Sequence, residues 1–79
     1  MDNAEEKTRE LFVKSFDMKP EEVTPEANLK RDLEMDSLEI VELVVTLEKE
    51  FDIQIGDGTI SNKNCVNDVI KVVQARLKK

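Results

Sequence analysis

The serine at position 37 is the residue whose type and setting most invite chemistry. Ser37 stands between Asp36 and Leu38 in the segment EMDSLEIVELV, residues 34–44. A serine hydroxyl becomes a nucleophile when a neighbouring base takes its proton, and histidine is the usual base. The sequence has no histidine and a single cysteine, Cys65, so it lacks the Ser-His-Asp and Cys-His arrangements. A self-contained hydrolase or transferase is therefore not expected.

The segment around Ser37 is predicted to begin a helix. Asp36 is a favoured N-cap residue, and Glu39 completes the D-x-x-E variant of the capping box. Ser37 then takes the first helical position, where its hydroxyl is expected to point outward and to be available to another molecule. The helix N-terminus favours a phosphate on this hydroxyl, although the two carboxylates oppose it. An ordinary polar residue at a helix start is the alternative.

This second helix carries two apolar strips. The core strip, at helical spacing, consists of Ile40, Leu43, Val44, Leu47 and Phe51. The second strip lies roughly 130° away and consists of Leu38, Val41 and Val45. Glu42 and Glu48 border the second strip. An apolar strip with an acidic border beside an outward serine predicts a protein-docking surface, unless the strip packs beneath the connection formed by residues 56–64.

Two further helices complete an all-α chain. Asn3 and Glu6 match a capping box before a first helix over residues 4–16, and Asn64 is placed to cap a last helix. The long connection between the first two helices contains both prolines. The side chains expected to anchor it are Val23, Leu29 and Leu33. The last helix has apolar positions Val66, Val69, Ile70, Val73 and Leu77. Residues 52–63 are expected to be irregular, with room for one short helical turn, so the chain forms a small bundle with three principal helices.

The sequence predicts no metal site. A single cysteine without histidine excludes the usual zinc sites. The segment DGTISNK, residues 57–63, resembles the second half of an EF-hand loop, but that register puts Ile53 and Ile55 where oxygen ligands are required and Asn64 where a bidentate glutamate belongs. Cys65 is expected to pack against apolar neighbours.

Composition predicts one soluble globular domain, residues 1–79, with 39% apolar and 38% charged residues. No apolar run approaches the ~20 residues of a membrane span and no hydrophobic signal segment is present, so a cytoplasmic protein without membrane insertion is expected. Residues 36–52 hold six acids and one base, within a net charge of −6. This charge disfavours nucleic acids and predicts partners with basic patches.

Taken together, the motifs resemble a known family. EMDSLEIVELVVTLEKEFDIQI, residues 34–55, resembles the D-S-L phosphopantetheine attachment region of acyl carrier proteins. PEEVTPEANLKRDL, residues 20–33, resembles the loop that leads into that region. The resemblance extends more weakly through the first and last helices. D-S-L alone is a weak signal, whereas D-S-L-E-I-V-E-L with the E-K-E-F-D continuation is specific.

The resemblance implies a right-handed four-helix carrier fold with a short third helix and a long loop between helices one and two. It implies that a separate phosphopantetheinyl transferase moves 4′-phosphopantetheine from coenzyme A onto Ser37, with Asp36 and Leu38 completing the motif. The missing histidine is then explained, because the activating chemistry belongs to the partner. The resulting thiol carries acyl groups as thioesters, in fatty-acid, lipid or polyketide-type biosynthesis. The protein would be a monomeric carrier and not an enzyme.

The resemblance also implies a docking surface for acyl-loading and acyl-processing enzymes with basic patches. The matching acidic positions of helix two are Glu39, Glu42, Glu48 and Glu50, and the apolar residues beside them are Val41 and Val45. An acyl chain could lie between helix two and the last helix. Its candidate lining residues, which are equally candidates for plain core, are Val41, Leu47 and Ile55.

Two departures from the family pattern favour a specialised carrier over a housekeeping one. The position two before the aspartate, usually glycine in the family, is Glu34. The segment GDGTISNKN, residues 56–64, replaces the acidic short helix of common fatty-acid carriers. The alternatives are an aminoacyl or D-alanyl carrier and an unmodified interaction module with the same fold, against which the intact D-S-L argues.

Overall fold

The computed structural model describes residues 3–56 and 58–77. Within this part of the chain the α-helices are α1 (Ala4–Ser15), α2 (Ser37–Phe51) and α3 (Val66–Leu77). A short 3₁₀ helix, Pro20–Glu22, interrupts the connection between α1 and α2. The all-α class and the three principal helices are confirmed.

The core forms where the apolar stripes of the helices meet. In α2 the buried residues are Ile40, Leu43, Val44 and Leu47, with Phe51 partly buried at the end. In α3 they are Val66, Val69, Ile70 and Val73. α1 contributes Phe12, Ala4 and the buried hydroxyl residue Thr8. The predicted stripe of α3 is wrong at Leu77, which is 40% exposed.

The long connection from α1 to α2 is fastened to the core and to α3. Val23 and Leu29 are fully buried and Leu33 is partly buried, which confirms the anchors. The Leu29 N–H donates to the Asn64 carbonyl at 3.0 Å, and the Val66 N–H donates to the Ala27 carbonyl at 2.9 Å. These bonds satisfy a backbone donor at the start of α3 and fix the connection beside it.

The short third helix is not confirmed. Among the described residues between Phe51 and Val66 the chain makes turns and bends, and no helical stretch is found. Gly56 and Gly58 have φ of 88° and 82°, in the left-handed region that interrupts a right-handed helix. The backbone of this connection is held by side chains instead of by helical hydrogen bonds.

Two predicted helix caps are also wrong. Asn3 precedes α1 but makes no side-chain cap bond, since its φ of −93° and ψ of 4° lie outside the extended conformation that capping requires. Asn64 uses its Oδ1 to accept the Ser61 N–H at 2.8 Å, so it is not free to cap α3. Asp68 instead reaches back from the first turn to accept the Cys65 N–H at 3.1 Å. Hydrogen bonds from Cys65 N–H and the Asn64 amide lower the pKa of the Asp68 carboxyl.

Candidate functional site

The start of α2 has the capping box that the sequence predicts. Asp36 Oδ1 accepts the Glu39 N–H at 2.8 Å, and Glu39 Oε1 accepts the Asp36 N–H at 3.2 Å. Asp36 is extended, with φ of −87° and ψ of 179°, as an N-cap must be. Ser37 is consequently the first residue of α2, and it is exposed. Its hydroxyl is not used to cap the helix.

The turn before Asp36 fixes where the helix begins. Residues 28–33 form a helical turn that ends at Glu34, whose φ is 56°. The Met35 N–H donates to the Leu29 carbonyl at 2.9 Å, and the Glu34 N–H donates to the Lys30 carbonyl at 3.0 Å. The Glu34 bond, from a left-handed residue to the carbonyl four residues earlier, is that of the αL motif, in which a left-handed residue, usually glycine, ends a helical turn. Met35 and Leu29 are both buried and pin the turn to the core.

An apolar strip follows Ser37 along the outside of α2. Leu38 is 70% exposed, Val41 54% and Val45 42%. Glu42 and Glu50 are exposed, whereas Glu39 is half-buried. The predicted second strip therefore faces outward and does not pack beneath the connection to α3. Exposed apolar side chains with acids among them have the character of a docking surface.

A groove of about 240 Å³ adjoins Ser37. It is lined by Ser37, Ile40, Val41, Ile60, Ser61 and Asn62. Of the three lining candidates taken from the sequence, Val41 lies here, while Leu47 and Ile55 are buried in the core. The lining residues of the connection were missed because residues 60–62 belong to no periodic pattern that would reveal which way they face. Ile60 is buried and forms the floor of the connection at this point.

Glu48 has a structural role that sequence reasoning missed. Its Oε2 accepts the Ile55 N–H at 2.8 Å and the Gly56 N–H at 3.3 Å. These bonds to backbone N–H groups, first from Ile55 and then from Gly56, lower the pKa of the Glu48 carboxyl. From α3, Arg76 Nε donates to the Gln54 carbonyl at 3.0 Å. α2 and α3 thus hold the same short stretch of the connection from two sides.

No group of three or more described histidine, cysteine, aspartate or glutamate side chains is arranged to hold a metal ion. Asp57, the carboxylate of the rejected EF-hand register, lies outside the described residues. In the part of the chain that the structure describes, no helix has the length and apolar character to cross a membrane.

The comparisons with known proteins identify the class to which this site belongs. Residues 6–73 match the family model described as "Phosphopantetheine attachment site", so the chain is a phosphopantetheine-attachment domain. A relative named acyl carrier protein, from Phenylobacterium zucineum (strain HLK1), is 40% identical over 77 residues, which cover 98% of this chain and 98% of that protein. The chain belongs to the acyl carrier protein family. It is a carrier that receives a prosthetic arm, and not an enzyme.

Proposed function

We propose that Ser37 is the residue that receives the 4′-phosphopantetheine arm, and that the protein shuttles acyl groups as thioesters on that arm. The supporting observation is the position of Ser37, which is exposed at the first turn of α2 beside a groove. The family match spans this position. When bound, the arm supplies a flexible thiol at a distance from the protein surface. A phosphopantetheinyl transferase supplies the base that the carrier lacks.

The residues around Ser37 fit such a group. The first N–H groups of a helix have no partner within the helix and favour a phosphodiester, as does the partial positive charge of the helix N-terminus. Asp36 supports the start of the helix through its bond to Glu39. The groove formed with Ile60 and Asn62 offers a surface along which the arm can lie. Leu38 projects beside Ser37 with 70% of its surface free to contact a partner.

We propose that partner enzymes dock on the outer face of α2. The apolar contribution comes from Leu38, Val41 and Val45. The acidic contribution comes from Glu39, Glu42, Glu48 and Glu50. Basic patches on loading and processing enzymes complement this face, and such contacts mainly set the encounter rate and its dependence on salt. Glu48 contributes less than its neighbours, because one of its oxygens is already bonded to the backbone of residues 55 and 56.

We propose a carrier dedicated to one acyl pathway. The support comes from Glu34, with its left-handed backbone next to the attachment site, and from the connection 52–65, which is shaped by Glu48 and Arg76 instead of by a helix. Both features alter the surroundings of the groove that a cargo and its enzymes meet.

Intact mass tests the attachment directly. The protein is incubated with coenzyme A, magnesium and a broad-specificity phosphopantetheinyl transferase. Wild type is expected to gain the mass of one arm, Ser37→Ala to gain none, and Ser15→Ala, which removes another exposed helix serine, to behave as wild type. Modification of Ser37→Ala, or no modification of wild type by several transferases, would overturn the proposal.

A further inference from the structure

Three cationic side chains surround a second cleft, next to the groove at Ser37. This cleft has a volume of about 530 Å³ and is lined by Asn28, Lys30, Arg31, Asn62 and Lys63. The three cations are exposed. Among the described residues, no carboxylate forms an ion pair with any of them. The cleft therefore presents concentrated positive charge on a chain whose net charge is −6.

The side chain of Asn28 organises the backbone of this cleft. Its Oδ1 accepts the Lys30 N–H at 3.0 Å and the Arg31 N–H at 2.7 Å. Its Nδ2 donates to the Lys63 carbonyl at 3.3 Å. One amide thus ties together the backbone of all three cationic residues. The cleft is built from two loops held in fixed relation, so the entropy lost on binding a ligand is reduced.

The nearest acid in sequence, Asp32, does not line the cleft. Asp32 accepts the Asn28 N–H through Oδ2 at 2.7 Å. It lines a different surface cleft, which it shares with Glu21, Glu22 and Glu26. Acidic and basic side chains of this loop are therefore segregated to two clefts. An anion that approaches the basic cleft meets cations without an adjacent carboxylate lining it.

The basic cleft borders the groove at the attachment site. Asn62 lines both, and Ser37 lines the groove. Because the two clefts share Asn62, a donor whose reacting group lies at Ser37 can extend its remaining part toward the cations. In coenzyme A, the donor in the proposed function, the nucleotide half that is left behind keeps the 5′-phosphate of the cleaved diphosphate and the 3′-phosphate.

We propose that the cleft formed by Lys30, Arg31 and Lys63 binds the 3′- and 5′-phosphates of the nucleotide half of coenzyme A while the phosphopantetheine half is transferred to Ser37. This inference rests on the proposed function. In the transfer, the Ser37 oxygen forms a bond to the phosphorus next to pantetheine, and the bond from that phosphorus to the bridging diphosphate oxygen breaks. The hydroxyl proton passes to a base of the transferase. The leaving group, adenosine 3′,5′-bisphosphate, takes the electron pair and the added negative charge beside the cations.

The test compares two donors and two charge-matched variants. Initial rates are measured with a phosphopantetheinyl transferase at saturating carrier, with either coenzyme A or 3′-dephospho-coenzyme A varied. Lys30→Gln with Lys63→Gln removes two charges from the cleft, and Lys7→Gln with Lys14→Gln removes two exposed charges of α1 as the control. With coenzyme A, the cleft variant is expected to lose about five-fold in kcat/KM, as two exposed ion pairs would give. The loss is expected to be smaller with the dephospho donor and absent in the control.

A second measurement needs no transferase. Adenosine 3′,5′-bisphosphate is titrated into the unmodified protein, and the amide resonances of Lys30, Arg31 and Lys63 are expected to shift in wild type and not in the cleft variant. Equal losses with both donors would overturn the inference, because the cations would then be contacting an acidic surface of the transferase. Unchanged kinetics in the cleft variant would overturn it as well. Failure of the proposed function is distinguished by intact mass, since wild type would then gain no arm from either donor.

Discussion

Replacing Glu34 with glycine is expected to stabilise the protein. Glu34 ends the turn before α2 with φ of 56°, in the left-handed region where a side chain crowds the following carbonyl. The conformation is enforced by the bonds from Met35 to Leu29 and from Glu34 to Lys30. Glycine adopts the same φ without this crowding and is the usual residue at this point of an αL motif.

The size of the effect is a difference between two terms. A left-handed backbone costs a residue with a side chain roughly 1–2 kcal/mol. Glycine loses more conformational entropy on folding, because it is freer in the unfolded chain, and this loss cancels roughly 0.5–1 kcal/mol of the gain. The net gain for Glu34→Gly is therefore about 0.5–1 kcal/mol. For a domain of this size a change of 1 kcal/mol moves Tm by about 4–8 °C, so we expect a rise of about 2–8 °C.

Thermal unfolding of Glu34→Gly and Glu34→Ala separates backbone strain from charge. Both variants remove the carboxylate, but alanine keeps a Cβ at φ of 56° and so keeps the strain. Only glycine is expected to raise Tm, and Asn, which tolerates this region better than most residues, is expected to fall between the two. If alanine raised Tm as much as glycine, repulsion among carboxylates would be the cause, and the assignment of strain to Glu34 would be refuted.

Three further predictions concern α1, the connection and the docking face. Thr8 Oγ1 is buried without a hydrogen-bond partner in the described structure, so Thr8→Val is expected to raise stability by about 1 kcal/mol. The control Thr46→Val removes a 2.7 Å bond to the Glu42 carbonyl and is not expected to raise stability. Denaturant unfolding measures both variants, and a loss of stability in Thr8→Val would contradict the prediction for Thr8. The Glu48 pKa is lowered from 4.5, so its stabilising contribution is full at neutral pH and is lost as pH falls through the folded-state pKa. Glu48→Gln should therefore be less stable than wild type at pH 7, with the difference shrinking in acid; a difference that is constant from pH 7 to pH 3 would contradict this assignment. Glu42→Lys should lower kcat/KM with a transferase that has a basic docking patch, most strongly at low salt, while circular dichroism remains unchanged; unchanged kinetics would count against the docking face.

The sequence was sufficient where a side-chain pattern determines the structure locally. The capping box of Asp36 and Glu39 set the first residue of α2, and the i, i+3, i+4 spacing identified its buried residues. The outward strip followed from the same geometry, because its residues could not share the core face with Ile40 and Leu43. The position of Ser37 was thus available from local rules alone, before any resemblance was considered.

Contacts between distant segments were beyond these rules. Asn64 looked like a helix cap because capping statistics are local, yet its oxygen is used by Ser61 and its carbonyl by Leu29. Glu48 looked like a surface acid because its helical position is outward, yet the chain returns to it at Ile55. The basic cleft joins residues that lie more than thirty positions apart in sequence. Nothing in the spacing of either segment indicates that they meet.

Three acidic residues of the described chain have a left-handed backbone, and two of them flank α2. Besides Glu34, Asp17 and Asp52 have φ of 57° and 54°. Asp52 follows α2 and Glu34 precedes its cap, so strained acids bracket the helix that carries the docking face, whereas Asp17 follows α1. If the acids bracketing α2 contribute to the electrostatic field that attracts basic partners, replacing them with glycine should raise the stability of the protein and lower its rate of encounter with those partners.

Asp17 serves as the control, because it has the same backbone conformation but follows α1 and does not flank α2. Asp17→Gly removes the same kind of strain, so it is expected to raise Tm as the other two glycine variants do, but it should leave the rate with a transferase unchanged. Glu34→Gly and Asp52→Gly are expected to raise Tm and to lower that rate at low ionic strength, with the difference fading as salt screens it. Equal rates for all three variants would mean that the carboxylates bracketing α2 do not serve docking, and that their strain has no functional counterpart.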